Sequence, residues 1–271
     1  MLILTSALSS ALAVQGQESG WKNTAELSYV TAAGNAQTAT MGFSDKLVRS
    51  WERTAFEFRL SGIRAESTTS TRIVTSAGPP PAVRTDSETD LTAEKYAVGA
   101  RLNRKISDHF FYYGGADWKR NRFAGIDAQY LVAGGIGNTW FARDDLKFRT
   151  EYAATYTSQD DLQGGNLTFV GARLSWVYEN QLTENTAFTN ELVLDQNLDD
   201  TADFRADMVN SVQVAMSEKL ALKVGLQWLY DHLPSLIEAS DPDGLLVPGE
   251  VALVELEKLD TIFTVSLVVN F

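Results

Sequence analysis

Cysteine is absent from the 271 residues, so no disulfide framework, thiolate metal site or cysteine nucleophile is available. Only two histidines occur, His109 and His232, too few for a His-rich metal centre. Basic residues are outnumbered, 23 Lys and Arg against 35 Asp and Glu. The resulting net charge of −12 argues against a general nucleic-acid binder, because a phosphate backbone needs clustered cations. No run of about 18 apolar residues is present, which excludes a helical membrane span. What is there is a chain of one large domain or two small ones, with 10% aromatic residues.

The first thirteen residues, Met1 to Ala13, are apolar and end in Ala11-Leu12-Ala13, small residues at the positions a signal peptidase reads. This stretch is expected to be a signal peptide, with 14–271 a single barrel domain. Its basic leader is lacking, since no Lys or Arg precedes Lys22, as a truncated start would leave it. Export without cysteine fits a Gram-negative envelope better than an extracellular space where small domains lean on disulfides.

From Trp21 onward the polarity alternates with period two, the mark of strands whose faces differ. In the last segment Leu259, Thr261, Phe263, Val265, Leu267, Val269 and Phe271 share one face. Asp260, Ile262, Thr264, Ser266, Val268 and Asn270 share the other. Twelve such segments are expected, at about 21–31, 37–49, 54–66, 91–103, 109–122, 126–140, 146–157, 166–179, 186–197, 204–216, 220–230 and 258–271. The fold class is therefore all-β: a closed antiparallel transmembrane barrel of about twelve strands, both termini periplasmic. Connections alternate between short turns and mostly longer loops such as 67–90 and 231–257, the asymmetry of outer-membrane barrels.

A twelve-stranded barrel is too wide for one layer of side chains to fill, so its polar face belongs inside with water and its apolar face outside with lipid. The expected lumen-lining residues are Lys95, Arg101, Asp117, Lys119, Arg149, Glu151, Arg173, Glu191, Asp195, Arg205, Asp207 and Lys223. Both signs occur at similar abundance, with Arg149 and Glu151 set near Arg173, and Glu191 and Asp195 near Arg205 and Asp207. Such a mix favours paired charges in a narrow pore over a strongly selective channel. Trp21, Tyr112, Trp140 and Trp176 near the short-turn rim, with Trp118, Tyr156, Trp228 and Tyr230 near the other, are expected to form an aromatic belt.

The alternating Phe263, Val265, Leu267, Val269 and terminal Phe271 look like the signal by which outer-membrane barrels are recognised by their assembly machinery. Two further stretches resemble the family known as domain of unknown function 481, the YdiY-like salt-induced outer-membrane proteins. One is Trp21 to Ala36, an aromatic-opened strand running into Gly34-Asn35. The other is Leu102 to Gly137, with His109-Phe110-Phe111-Tyr112-Tyr113-Gly114, Arg120-Asn121-Arg122-Phe123 and Ala133-Gly134-Gly135-Ile136-Gly137. Asn121 departs from the pattern, which has Asp before Arg-Phe. The resemblance implies an outer-membrane barrel with no defined biochemical activity.

Catalytic and metal chemistry find little footing. Asp231-His232 opens a long loop and could serve as a general base for a barrel-borne hydrolase, but no Ser nucleophile or acidic pair accompanies it. Asp199, Asp200 and Asp203, or Asp241 and Asp243, could hold calcium, yet neither set has EF-hand spacing. Lys119, Arg120 and Arg122 could clamp lipid phosphates at one strand end. The expectation is an outer-membrane barrel, structural or a narrow passive pore for small solutes, with no catalytic residue, metal or other cofactor. Its expected partners are outer-membrane lipid, the assembly machinery and small solutes, not nucleic acid. A soluble periplasmic β-barrel or sandwich that binds a ligand is the remaining alternative.

Overall fold

The computed structural model describes residues 20–32, 36–76, 82–162, 164–234, 236–238, 253–255 and 257–271. The segment read as a signal peptide, the Gly34-Asn35 pair and the Asp241 and Asp243 pair lie outside these. Among the described residues fourteen strands run in chain order: β1 Gly20–Ala32, β2 Ala36–Ser50, β3 Thr54–Ser76, β4 Ala82–Lys105, β5 Phe110–Asn121, β6 Ile126–Ala142, β7 Leu146–Asp161, β8 Asn166–Thr183, β9 Thr186–Asn197, β10 Phe204–Ala215, β11 Leu220–Asp231, β12 Leu236–Glu238, β13 Leu253–Glu255 and β14 Leu259–Asn270. Twelve of them close an antiparallel barrel in which each strand pairs with its chain neighbours, β11 passes directly to β14, and β14 returns to β1. The small β12–β13 hairpin stands apart, within the connection from β11 to β14.

Twelve is even, so the barrel's two chain ends share one rim, where Thr24 faces Asn270 and the Phe271 N–H donates to the Asn23 carbonyl at 3.0 Å. That rim, here called terminal, also carries the tight turns at 51–53, 106–109, 143–145, 184–185 and 216–219. The distal rim carries the other connections. One is the 3-10 turn Arg122–Ala124, which Gly125 ends with a left-handed φ of 69° that suits glycine. The closing seam is short. Register between β1 and β14 runs from Thr24↔Asn270 to Leu27↔Leu267, whereas β1 pairs with β2 along the whole of Gly20–Ala32.

One expectation is corrected. The segment 67–90, read as a loop, is mostly strand: β3 continues to Ser76 and β4 begins at Ala82. At about 3.3 Å per residue the two strands are roughly twice as long as the apolar band requires, and they form a ribbon beyond the distal rim. A bulge marks the exit: Ala65 pairs with Ala93 and Glu66 with Leu91, so Thr92 has no partner. Thr68 and Thr89 then share a cross-strand hydrogen bond of 2.7 Å. The ribbon is polar on both faces, so alternation cannot reveal it, but its Thr, Val and Ile content suits strands.

Polarity is that of a barrel in lipid. Val132, Ile136, Tyr152, Leu27 and Met41 face outward, each at least half exposed, as do Phe263 and Leu267 on β14. In water this would be an apolar surface far larger than a soluble monomer carries. The inward face is reversed: Glu57, Arg149, Glu151 and Gln227 are all 5% exposed or less. At the terminal rim the Arg49 guanidinium lies over the Trp21 and Trp51 rings at 5.2 and 5.6 Å. A cation held between two amphipathic rings is the chemistry of a membrane–water boundary.

Candidate functional site in the lumen

The strands set the site by parity. On β4 the odd positions Lys95, Gly99 and Arg101 point inward; on β7 Arg149 and Glu151 do so, and on β3 Glu57 and Arg59. In the terminal half these side chains fill the lumen. Arg101 reaches from β4 to β7 across two intervening strands and donates from both terminal nitrogens to the two Glu151 oxygens, each at 2.8 Å. Its guanidinium also stacks on Tyr113, 3.8 Å from the ring centre. Arg149 lies 3.5 Å from Glu151, and Glu57 is flanked by Lys46 at 3.5 Å and Arg59 at 3.4 Å. Paired, bidentate and stacked groups of this kind make a desolvated ionic layer tolerable.

Strand tilt explains the reach. The hydrogen-bond ladder leads from Arg101 to Gly115, Ala133 and Thr155, yet the residue it meets is Glu151, four positions nearer the terminal rim. A tilted, sheared barrel offsets side chains along each strand in this way. Elsewhere the ladder itself sets the pair. Arg59, Gly99 and Asp117 are in direct register on β3, β4 and β5, and Arg59 donates to Asp117 at 3.1 Å over the glycine. A Cβ at Gly99 would collide with the Asp117 carboxylate.

Above this layer a cavity of about 310 Å³ opens toward the distal rim, lined from Arg59 on β3 round to Asp260 on β14 and reaching Pro234 and Glu257 above. Lys95, Asp117, Lys119, Arg173, Asp195, Arg205 and Asp207 line it. Arg173 holds both Asp195 oxygens at 2.7 and 2.9 Å. Arg205 bonds Asp203 at 3.0 Å and Gln159 at 2.9 Å, and lies 3.5 Å from Asp231. Asp207 accepts from the Gln227 amide. Lys223 pairs instead with Glu26 at 2.9 Å, and Glu191 is buried among the terminal-half groups.

The structure therefore brings together Arg149 with Glu151, as the sequence suggests, but not the expected neighbour Arg173, which belongs to Asp195. Lys119, Arg120 and Arg122 do not form a clamp: Lys119 points into the lumen, Arg120 bonds Asp127 at 2.9 Å, and Arg122 lies 3.4 Å from Glu94. Consecutive strand positions alternate in direction, so a run of basic residues divides between faces. His232 accepts or donates one bond, to the Tyr230 hydroxyl at 2.9 Å, while Asp231 turns to Arg205 and the Leu233 N–H. His109 bonds the Thr139 carbonyl near the terminal rim. Asp199 and Asp200 accept backbone N–H groups, and Asp203 bonds Arg205. Among the described residues no set of three acidic or histidine side chains is arranged to hold a metal.

Of the aromatics, Trp21, Trp140, Trp118, Trp228 and Tyr230 stand close to strand ends, while Tyr156 and Trp176 sit well inside the long strands β7 and β8. Tyr112 lies three residues into β5 and is 46% exposed. On β14 Phe263, Val265, Leu267 and Val269 face outward, and Phe271 follows the strand, 74% exposed. Sequence reasoning missed Lys46, Glu26 and the buried glutamines Gln129 and Gln159. Inward parity was the signal that could have found them.

A closed barrel, apolar without and ionic within, is an outer-membrane β-barrel. The chain belongs to the family described as protein of unknown function DUF481, which matches it over residues 25–271. The uncharacterized protein YdiY of Escherichia coli K12 is 24% identical over 153 residues, 56% of this chain and 59% of that protein. The match thus spans about three-fifths of the length of that curated relative. Among solved structures, an outer membrane channel from Pseudomonas putida F1 superposes with a TM-score of 0.51 at 10% identity, covering 99% of this chain and all of that one. The translocator domain of the autotransporter NalP from Neisseria meningitidis gives 0.46 at 8% identity, covering 96% and 90%. The likeness to the channel is one of fold.

Proposed function

We propose that this barrel is a narrow passive pore for small solutes, restricted by charge pairing in its lumen. One observation carries the reading: the Arg101–Glu151 pair crosses the terminal half of the lumen, and the charged groups around it are buried. Charges of both signs held against one another narrow the path and cancel selectivity. Planar-bilayer recording of the purified barrel tests it. The expected result is small conductance with weak ion preference, raised by shortening the cross-lumen pair with Arg101→Ala. A large, strongly cation- or anion-selective open state in the unaltered protein overturns it.

The terminal rim is assigned to the periplasm and β14 to recognition by the assembly machinery, on the strength of the tight turns there and the outward alternation ending at Phe271. Because the chain has no cysteine, single-cysteine labelling reads orientation cleanly. An impermeant maleimide should label Thr89→Cys on intact cells and spare Ser217→Cys until the membrane is opened. Deleting Phe271 should lower the yield of assembled, heat-modifiable barrel.

A further inference from the structure

Lys119, like Lys95, is a cavity-lining cation with no carboxylate bonded to it among the described residues. Lys95, Arg173 and Arg205 are all near enough to act on it electrostatically. Among the described residues no carboxylate lies within ion-pair distance of it. Asp195, within its reach, has both oxygens taken by Arg173. Asp207 takes the Gln227 amide and Asp231 faces Arg205, and both act on Lys119 only from beyond ion-pair distance. Lys95 is held no more closely, with Asp207 and Asp260 acting on it from a distance. The Lys119 ammonium thus faces the cavity with no carboxylate bonded to it, and Lys95 stands near it in the same condition.

Part of the cavity wall is apolar, against the rule for a lumen. Leu131 and Phe169 point inward and are 8% and 7% exposed, and both line the same cavity. The Arg205 guanidinium lies over the Phe169 ring at 5.7 Å. A volume of about 310 Å³ is that of one small organic molecule, or of about ten waters. Water alone would solvate the ammonium but leave the apolar wall unmatched.

We propose that the distal cavity binds a small organic anion, its carboxylate at Lys119 and its carbon skeleton against Leu131 and Phe169. This deepens the pore reading, since it rests on the lumen being open to water at the distal rim. Charge at Lys119 sets the sign of the ligand, and the apolar wall separates an organic anion from an inorganic one.

Titration calorimetry on the full-length, detergent-purified barrel tests the assignment, with phenylacetate as the probe. Phenylacetate should bind at one site, about tenfold or more tighter than 2-phenylethanol, 2-phenylethylammonium or phosphate. Lys119→Met should weaken it about tenfold, Lys119→Arg should keep it, and Lys219→Met on the terminal rim should leave it unchanged. Equal binding of the alcohol or the ammonium overturns the charge assignment, and equal binding of phosphate overturns the organic one. No binding of phenylacetate at millimolar concentration, or unchanged binding by Lys119→Met, overturns the site. Should Lys119→Met fail to assemble, the ligand series on the unaltered barrel decides alone. Conductance of the same preparation separates the two readings: a weakly conducting barrel that ignores phenylacetate refutes the chamber and leaves the pore.

Discussion

Arg101 and Glu151 meet across two intervening strands, through two parallel hydrogen bonds of 2.8 Å, in a layer where Glu151 is 2% exposed. Removing one partner strands the other charge, and Glu151 also serves Arg149. Glu151→Gln should therefore cost about 3–5 kcal/mol of stability, and Arg101→Met a comparable amount. The double variant Arg101→Met/Glu151→Gln should cost less than the sum, because neither charge of the pair is then left alone. Urea unfolding in lipid vesicles measures all three.

Gly99 keeps the Arg59–Asp117 bridge in place by having no side chain. Gly99→Val would push the Asp117 carboxylate aside, and should destabilise the barrel by about 1–3 kcal/mol. In an Asp117→Ala background the same substitution should cost less, since the obstructed carboxylate is gone. Equal costs in both backgrounds would show that the bridge is not what the glycine protects.

Depth in the lipid should be readable from charge insertion. Val132, outward and midway along β6, should cost about 2–4 kcal/mol as Val132→Arg. Leu220, at the terminal start of β11, should cost only about 0–1 kcal/mol as Leu220→Arg. A soluble sandwich would show no such gradient.

The turn at the start of β5 predicts a pH dependence. The Lys105 ammonium, hydrogen-bonded to Asp108 at 2.9 Å and adding its charge, holds that carboxyl below its ordinary value. A carboxyl depressed in the folded state binds fewer protons there, so its stabilisation is present above the ordinary carboxylate range. It is lost as pH falls through the lowered value. The stability gap between the wild type and Asp108→Asn should be level above about pH 5 and close in acid. Lys105→Met should abolish that closure.

Much of this was legible in the sequence, and the limit is geometric. Alternation alone assigns Phe263 to lipid and Ser266 to the lumen, because a strand permits only two directions. It also assigns Arg101 and Glu151 inward. It does not pair them, since the offset between β4 and β7 depends on shear, which no single strand encodes. Arg173 shows the same limit: its partner Asp195 lies directly opposite on β9, a register visible only once β8 and β9 are laid together. The β3–β4 ribbon escaped for another reason. Outside the membrane neither face has to be apolar, so Thr68 and Thr89 give no contrast to read.

The seam between β1 and β14 has a consequence for how the wall behaves under load. Every other junction is a long ladder between chain neighbours or across β11 and β14, but this one joins the first strand to the last over Thr24–Leu27. A ring whose clasp is so much shorter than its links opens at the clasp. Heat, a chaperone or a pulling force would unroll the cylinder into a curled sheet from that line, with the other eleven junctions intact. One covalent staple between positions 24 and 270, in a chain that offers no competing thiol, would make the ring continuous.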